Sequence, residues 1–239
     1  MVNISNKVAF ITGGSKGIGL GIAKSLASEG VFVAITSRII EAAKNAADEI
    51  NSEFPNQALG LASDVRNLES QIKAVDEVVK KWGKLDVMIA NAGIGHFASI
   101  EDLTPEQWSD MIDTNLTGVF NSVKASLEPL KKSSGYLMTV ASLAGTNFFA
   151  KGSGYNATKY GLVGFTQAAM LDLRKYGIKS TTLMPGSVST FFNGHTPSEK
   201  DSWKIQPEDM GQIVVDLLKM HPRTLPSKVE IRPTTPPTK

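Results

Sequence analysis

Through most of the chain, short apolar runs alternate with longer stretches in which apolar positions recur every three or four residues. The runs at Val8–Ile11, Val31–Ile35, Ala58–Leu61, Leu85–Ala90, Tyr136–Val140 and Ser180–Met184 predict strands, and a final one is expected at Lys228–Ile231. Several are apolar at successive positions, the pattern of strands buried on both faces. The periodic stretches predict helices at Ile18–Ser28, Ile40–Glu53, Leu68–Lys81, Pro105–Leu130, Tyr155–Tyr176 and Pro207–Met220, the last opening on a proline suited to a helix start. Strand–helix alternation of this kind predicts an α/β fold, a doubly wound parallel sheet with helices on both faces.

The pattern fails at Gly186–Gln206, which mixes Gly, Ser, Thr, Asn and Pro around the apolar pair Phe191–Phe192. A loop this long in a compact domain is functional or disordered. It follows a strand end, on the side where such sheets bind ligands, so 187–206 is expected to be a flexible substrate loop. No linker or repeat interrupts the 239 residues, which are expected to form a single domain, 1–239. The Pro- and Thr-rich end, Arg232–Lys239, is expected to lie extended on the surface.

Composition narrows the chemistry. Lys plus Arg number 25 and Asp plus Glu 23, a balance that gives no case for nucleic acid or an acidic membrane surface. There is no cysteine, which excludes disulfides, thiolate metal sites and cysteine nucleophiles. His96, His195 and His221 show no ligand spacing, so no metal centre is expected. No apolar run approaches the roughly 18 residues of a membrane span, and no secretory segment opens the chain. A soluble cytoplasmic protein is the expectation.

One stretch suggests proton transfer. Tyr155 and Lys159 form a Tyr-x-x-x-Lys pair, with Ser142 thirteen residues upstream. An unperturbed tyrosine, with a pKa of about 10, is a poor acid or base at neutral pH. A lysine one helical turn along shares its face, and its charge favours the phenolate. A nearby serine hydroxyl can hold a carbonyl oxygen. Such a group can pass a proton to or from an oxygen while something else moves a hydride.

Thr12-Gly13-Gly14-Ser15-Lys16-Gly17-Ile18-Gly19 joins the first strand to the first helix. Its glycine spacing differs from the common dinucleotide fingerprint, but the mechanics are alike: a tight turn, close backbone approach to a pyrophosphate, and a helix N-terminus facing the anion. The second strand ends Thr36-Ser37-Arg38, without the acidic residue that usually meets a free ribose 2′-hydroxyl. Arg38, helped by Ser15, Ser37 and Lys16, can instead neutralise a 2′-phosphate, so NADP(H) is expected rather than NAD. A solvated loop arginine is the plainer account of Arg38.

With these residues in view, the chain resembles the short-chain dehydrogenases/reductases. The glycine turn, Ala90-Asn91-Ala92-Gly93 after the fourth strand, Asn115, Ser142, Tyr155-x-x-x-Lys159, and Pro185-Gly186 with Thr190 carry the resemblance over nearly the whole chain. Ala90 stands where many members have a second asparagine. The resemblance implies a single-domain Rossmann fold with seven strands and a catalytic tetrad of Asn115, Ser142, Tyr155 and Lys159. Tyr155 would be the acid in reduction and Ser142 would orient the substrate carbonyl. Lys159 would lower the Tyr155 pKa and bind the nicotinamide ribose. Asn115 would hold a water linking Lys159 to solvent. It further implies that Asp64 and Val65 border the adenine, that Asn91, Ala92 and Gly93 lie along the adjacent ribose and backbone, and that Ile18, Pro185, Gly186, Val188 and Thr190 lie near the nicotinamide. Asn115 could equally kink a buried helix, and Asp64 could cap the third helix.

Ile94, His96, Leu143, Phe148, Phe149, Phe191 and Phe192 are expected to wall the substrate site, although about half of the phenylalanines would serve as core or subunit contacts. The wall carries no Arg or Lys fork except Lys151, so a hydrophobic ketone or aldehyde is the expected substrate class. Three readings follow: an NADPH-dependent carbonyl reductase working reversibly as an alcohol dehydrogenase; a 3-oxoacyl-(acyl-carrier-protein) reductase, with Lys131, Lys132, Arg174 and Lys175 offering charge to an acidic carrier; and a non-catalytic nucleotide-binding protein on the same fold. The resemblance also implies a homotetramer or dimer assembled through Pro105–Leu130 and Tyr155–Tyr176, with Gly161, Ala168 and Ala169 allowing close approach.

Overall fold

The structure, a computed structural model, describes residues 2–236; the last three residues of the expected tail, 237–239, lie outside the described residues. In chain order the elements are β1 (Val8–Ile11), α1 (Gly17–Ser28), β2 (Phe32–Ser37), α2 (Ile40–Glu53), β3 (Ala58–Ala62), α3 (Leu68–Trp82), β4 (Val87–Ala90), α4 (Pro105–Ile112), α5 (Gly118–Ser133), β5 (Tyr136–Val140), α6 (Ser153–Leu173), β6 (Lys179–Pro185), α7 (Pro207–Lys219) and β7 (Lys228–Ile231). The seven strands form one parallel sheet, as the alternation predicts, and their order is β3-β2-β1-β4-β5-β6-β7. Strand order reverses between β1 and β4, which leaves a crevice at their C-terminal ends.

Alternate residues of a strand point to opposite faces, and β1 shows the consequence. Ala9 and Ile11 pack with Ile22 and Leu26 of α1, Ile50 of α2 and Val214 of α7. Val8 and Phe10 pack with Val75 and Val78 of α3, Val123 of α5 and Leu162 of α6. Each face of the sheet therefore has its own helical layer, and all four residues of β1 are buried.

Three of the boundaries that differ from the sequence pattern have tertiary reasons. β2 runs on to Ser37 because it pairs with β3 as far as Ala62. β4 starts at Val87 because the buried Asp86 before it uses its carboxylate to accept the Val8 backbone N–H at 2.8 Å. The single helix expected over Pro105–Leu130 is instead α4, a π-helical segment at Asp113–Thr117, and α5. A widened turn of this kind admits a residue that breaks the ordinary ladder, and Asn115 sits in it fully buried.

Candidate active site

A cavity of about 1420 Å³ opens at the crevice. Almost every residue singled out from the sequence lines it; Gly19 and Asn115 do not. Gly19 lies inside α1, where a Cβ would come within 2.6 Å of Asn91 Nδ2, so it permits helix packing rather than walling the cavity.

On one side lies the glycine turn. Gly13 has a φ of +63°, and a Cβ there would stand 2.9 Å from Ala92 Cα. Thr12, given no role in the sequence reading, ties this turn to the end of β4. Its hydroxyl accepts the backbone N–H groups of Asn91 and Ala92 at 3.0 Å each. Asn91 answers by donating from Nδ2 to the Thr12 and Gly13 carbonyls at 2.9 and 3.1 Å. No side chain caps the start of α1, so its first N–H groups remain available to an anion. A backbone cradle that side chains would fill, an uncapped helix N-terminus and a cavity of this size together fit a dinucleotide.

Ser37 and Arg38 line the cavity beyond this turn. Asp64 does not cap α3: Asn67 does, accepting the Ser70 N–H at 3.0 Å. Asp64 is instead gripped by Arg66, whose Nη2 lies 2.7 Å from Oδ2 and whose Nε lies 3.1 Å from Oδ1. The Arg66 hydrogen bond holds the Asp64 carboxyl below its usual range. Arg66 also lines the cavity and was missed, because nothing local marks an arginine two residues from an aspartate as part of a site.

At the centre stand Ser142, just past β5, and Tyr155 and Lys159 on α6. Ser142 Oγ accepts the Ala144 N–H at 3.1 Å and reaches the Pro185 carbonyl at 3.5 Å. Lys159 Nζ lies 5.6 Å from the Tyr155 ring centre and donates to the Val140 carbonyl at 3.0 Å. Burial pushes the Tyr155 phenol up to about 12, with the Ser142 hydroxyl pulling the other way, and burial draws Lys159 down to about 8. In the chain by itself burial therefore outweighs the lysine's expected pull on Tyr155. Asn115 sits behind them. Its Oδ1 accepts the Ile94 N–H and its Nδ2 donates to the Ile94 carbonyl, each at 2.8 Å, and Nδ2 also reaches Thr158 Oγ1 at 3.1 Å. A Cβ on Gly93 would lie 3.3 Å from Asn115 Oδ1 and 3.6 Å from Lys159 Nζ, so the two groups flank one narrow point.

The opposite wall is aromatic. Phe97, absent from the sequence expectation, packs edge-on against Tyr155 at 5.4 Å and Phe149 at 5.6 Å, and tilts against Phe192 at 6.2 Å. Phe148 and Phe149 are exposed at the cavity, neither belonging to the core, and Ile94, His96 and Leu143 line it beside them. The buried Asn156 holds their loop by donating to the carbonyls of Ala144 and Asn147, both at 2.7 Å. Lys151 does not line the cavity.

The long loop is folded over the cavity rather than open. Thr190 approaches Gly17, Phe191 lies 5.8 Å from Lys16 Nζ, and Val188 bridges to Ile205. Its far end is latched by the buried Asp201, which binds His195 at 2.6 Å and Lys204 at 2.5 Å. Arg232, Pro233 and Pro236 also line the cavity, so the described part of the tail, which bends at Thr234 and Thr235, borders the site.

A sequence profile described as short chain dehydrogenase matches residues 7–201. The trans-4-hydroxycyclohexanecarboxylate dehydrogenase of Sinomonas cyclohexanicum is 35% identical over 192 residues, 78% of this chain and 74% of that protein. A 3-oxoacyl-(acyl-carrier-protein) reductase of Chlamydia muridarum is 32% identical over 200 residues, 83% of this chain and 81% of that one. Among solved structures, an alcohol dehydrogenase from Thermococcus sibiricus, complexed with 5-hydroxy-NADP, superimposes with a TM-score of 0.91 at 30% identity, covering 98% of this chain and 99% of that one.

Proposed function

The chain belongs to the short chain dehydrogenase family, and from that premise we propose that it is an NADPH-dependent carbonyl reductase, working in reverse as an alcohol dehydrogenase on hydrophobic ketones and secondary alcohols. The observation that carries the reading is the meeting of Tyr155, Ser142 and Lys159 at one cavity wall, opposite a glycine turn whose helix start is free for an anion. NADPH held at this turn would supply the hydride for the carbonyl carbon. Tyr155, protonated at neutral pH, gives its proton to the carbonyl oxygen while Ser142 donates a hydrogen bond to the same oxygen. Lys159 stands beside the phenol to stabilise the phenolate left behind, and Asn115 keeps Ile94 and the strand end in register. Gly13, Ser15, Lys16, Gly17, Ile18, Asn91, Ala92 and Gly93 would hold the dinucleotide, with Arg38 and Ser37 at its 2′-phosphate. The NADP analogue in the Thermococcus enzyme supports that preference.

The test is the initial rate of NADPH oxidation with an aryl methyl ketone and with an acetoacetyl thioester. Tyr155→Phe should lower kcat on the preferred substrate by about a hundredfold or more, with NADPH affinity nearly kept. Unchanged turnover would overturn the mechanism. A strong preference for the thioester would favour the second reading, the 3-oxoacyl-(acyl-carrier-protein) reductase, which the Chlamydia relative supports. Against it, Lys131 is paired with Glu128, which offsets its charge toward an acidic carrier.

Assembly as a homotetramer or dimer belongs to the same proposal. Phe120 of α5 and Leu171 of α6 are exposed, and Phe120 meets Phe165 at 6.4 Å. Gly161 packs against Leu116 of its own chain, so the close approach expected of it is used internally; Gly164 is the glycine of α6 with open space beside it. Light scattering on the eluted protein reads the state directly. Among the described residues no helix is long and apolar enough to cross a membrane.

A further inference from the structure

Four aromatic rings from four separate segments meet at the substrate side of the cavity. Phe97 comes from the loop after β4, Phe149 from the loop before α6, Tyr155 from α6, and Phe192 from the long loop. Phe97 is the hub. It touches the other three, at angles of 77° to Phe149, 90° to Tyr155 and 56° to Phe192.

The position of Phe97 is fixed from behind. Asn115 clamps Ile94 through both backbone groups, and the His96 N–H lies 3.3 Å from Met111 Sδ. Phe149 is held in turn by the loop that Asn156 ties down. Phe97 and Phe149 nevertheless keep 40% and 46% of their surface exposed while lining the cavity. An anchored, part-exposed aromatic surface next to Tyr155 is a surface waiting for a ligand.

Its chemistry is selective. Edge-to-face and offset-stacked contacts reward a flat ring more than a thin alkyl chain of equal carbon count. The side chains of Ile94, Phe97, Leu143, Phe149 and Phe192 offer no hydrogen-bond donor; His96 and Asn147 are polar side chains beside them in the lining.

We propose that Phe97, together with Phe149 and Phe192, forms an aromatic wall that selects carbonyl compounds bearing an aryl ring on the carbonyl carbon, and that Phe97 sets this preference. The inference rests on the carbonyl-reductase reading above and names its substrate class. Phe97 acts on the substrate's ring and takes no part in the proton transfer.

The experiment compares kcat/KM for acetophenone and for 2-octanone, an apolar ketone without a ring, in wild type, Phe97→Ala, Phe97→Leu and Phe97→Tyr. Wild type should prefer acetophenone at least tenfold. In Phe97→Ala that ratio should fall at least tenfold, mainly through KM for acetophenone; Phe97→Leu should fall nearly as far, and Phe97→Tyr should keep the ratio within about threefold of wild type, the order that ring contacts dictate. An unchanged ratio in Phe97→Ala, or an equal loss on both ketones with NADPH affinity and melting temperature retained, would overturn the assignment of Phe97. A wild type that binds NADPH and turns over neither ketone would overturn the carbonyl-reductase reading itself.

Discussion

Asn115 and Ile94 are joined by two reciprocal hydrogen bonds, side-chain oxygen to backbone N–H and side-chain amide to backbone carbonyl, each 2.8 Å long. Asn115 is fully buried, so its side chain has no water to fall back on, while Ile94 is part-buried at the cavity. The pair welds the π-helical turn between α4 and α5 to the loop leaving β4.

Asn115→Leu is therefore expected to cost about 2 kcal/mol, since it removes two hydrogen bonds to part-buried backbone groups at roughly 1 kcal/mol each. Asn115→Asp should also destabilise, because it keeps the acceptor for Ile94 N–H but turns an acceptor toward the Ile94 carbonyl. Urea unfolding with an unchanged m-value measures both.

Lys159 should make stability depend on pH in the alkaline range. Burial holds it at about 8 in the folded chain, against 10.5 for the free group. Between these values the unfolded chain binds more protons, so stability rises with pH across that window. Tyr155, raised from 10 to about 12, acts in the opposite direction: its contribution is intact below pH 10 and is lost as pH rises toward 12. Lys159→Met should stabilise the cofactor-free protein at pH 7 by about 2 kcal/mol. That is roughly 3 kcal/mol of relieved burial less about 1 for the lost bond to Val140. The gap should narrow by about 1 kcal/mol at pH 9, and the variant should be inactive. Urea midpoints at the two pH values test the sign.

The proposed 2′-phosphate contact of Arg38 makes a separate prediction. Arg38→Ala should weaken NADPH binding by about tenfold or more, the scale of a charged hydrogen bond, and leave NADH binding nearly unchanged. Nucleotide fluorescence titrations give both constants; equal losses would remove Arg38 from the phosphate.

Asp201 secures the folded loop. His195 and Lys204 bind its carboxylate, and Lys204 first, then His195, hold it down at about 2. The latch's contribution from this carboxyl is present above pH 3.8 and fades as pH falls toward 2. Asp201→Asn should speed trypsin cleavage at Lys200 and Lys204 several-fold with little change in melting temperature, because the latch orders a loop and not the sheet. Equal cleavage rates would place the loop's order elsewhere.

The elements were legible because their signals are local. Buried parallel strands leave apolar runs, amphipathic helices leave a period, and the glycine turn sits between one strand and one helix. Tyr155 and Lys159 could be paired from spacing alone, since four residues on a helix fix their relation. Other features carry no such mark. Arg66 was missed, and for Asp64 a helix cap stood beside the adenine-side reading, because the fork between their side chains is a rotamer choice made in three dimensions. Phe97 looked like any loop phenylalanine, and its contacts with Tyr155 and Phe192 span dozens of residues of sequence.

What the sequence by itself determined is the order of strands and helices, the glycine turn between the first strand and the first helix, and the spacing of Tyr155 and Lys159, all of which follow from backbone geometry within a few residues. Only the tertiary structure decided the π-helical turn at Asn115, the aromatic wall on Tyr155, the latch on Asp201 and the opposed shifts of Tyr155 and Lys159. Each depends on burial or on partners brought from distant segments. The free energy of a buried group is set by what surrounds it in space, not by what precedes it in the chain.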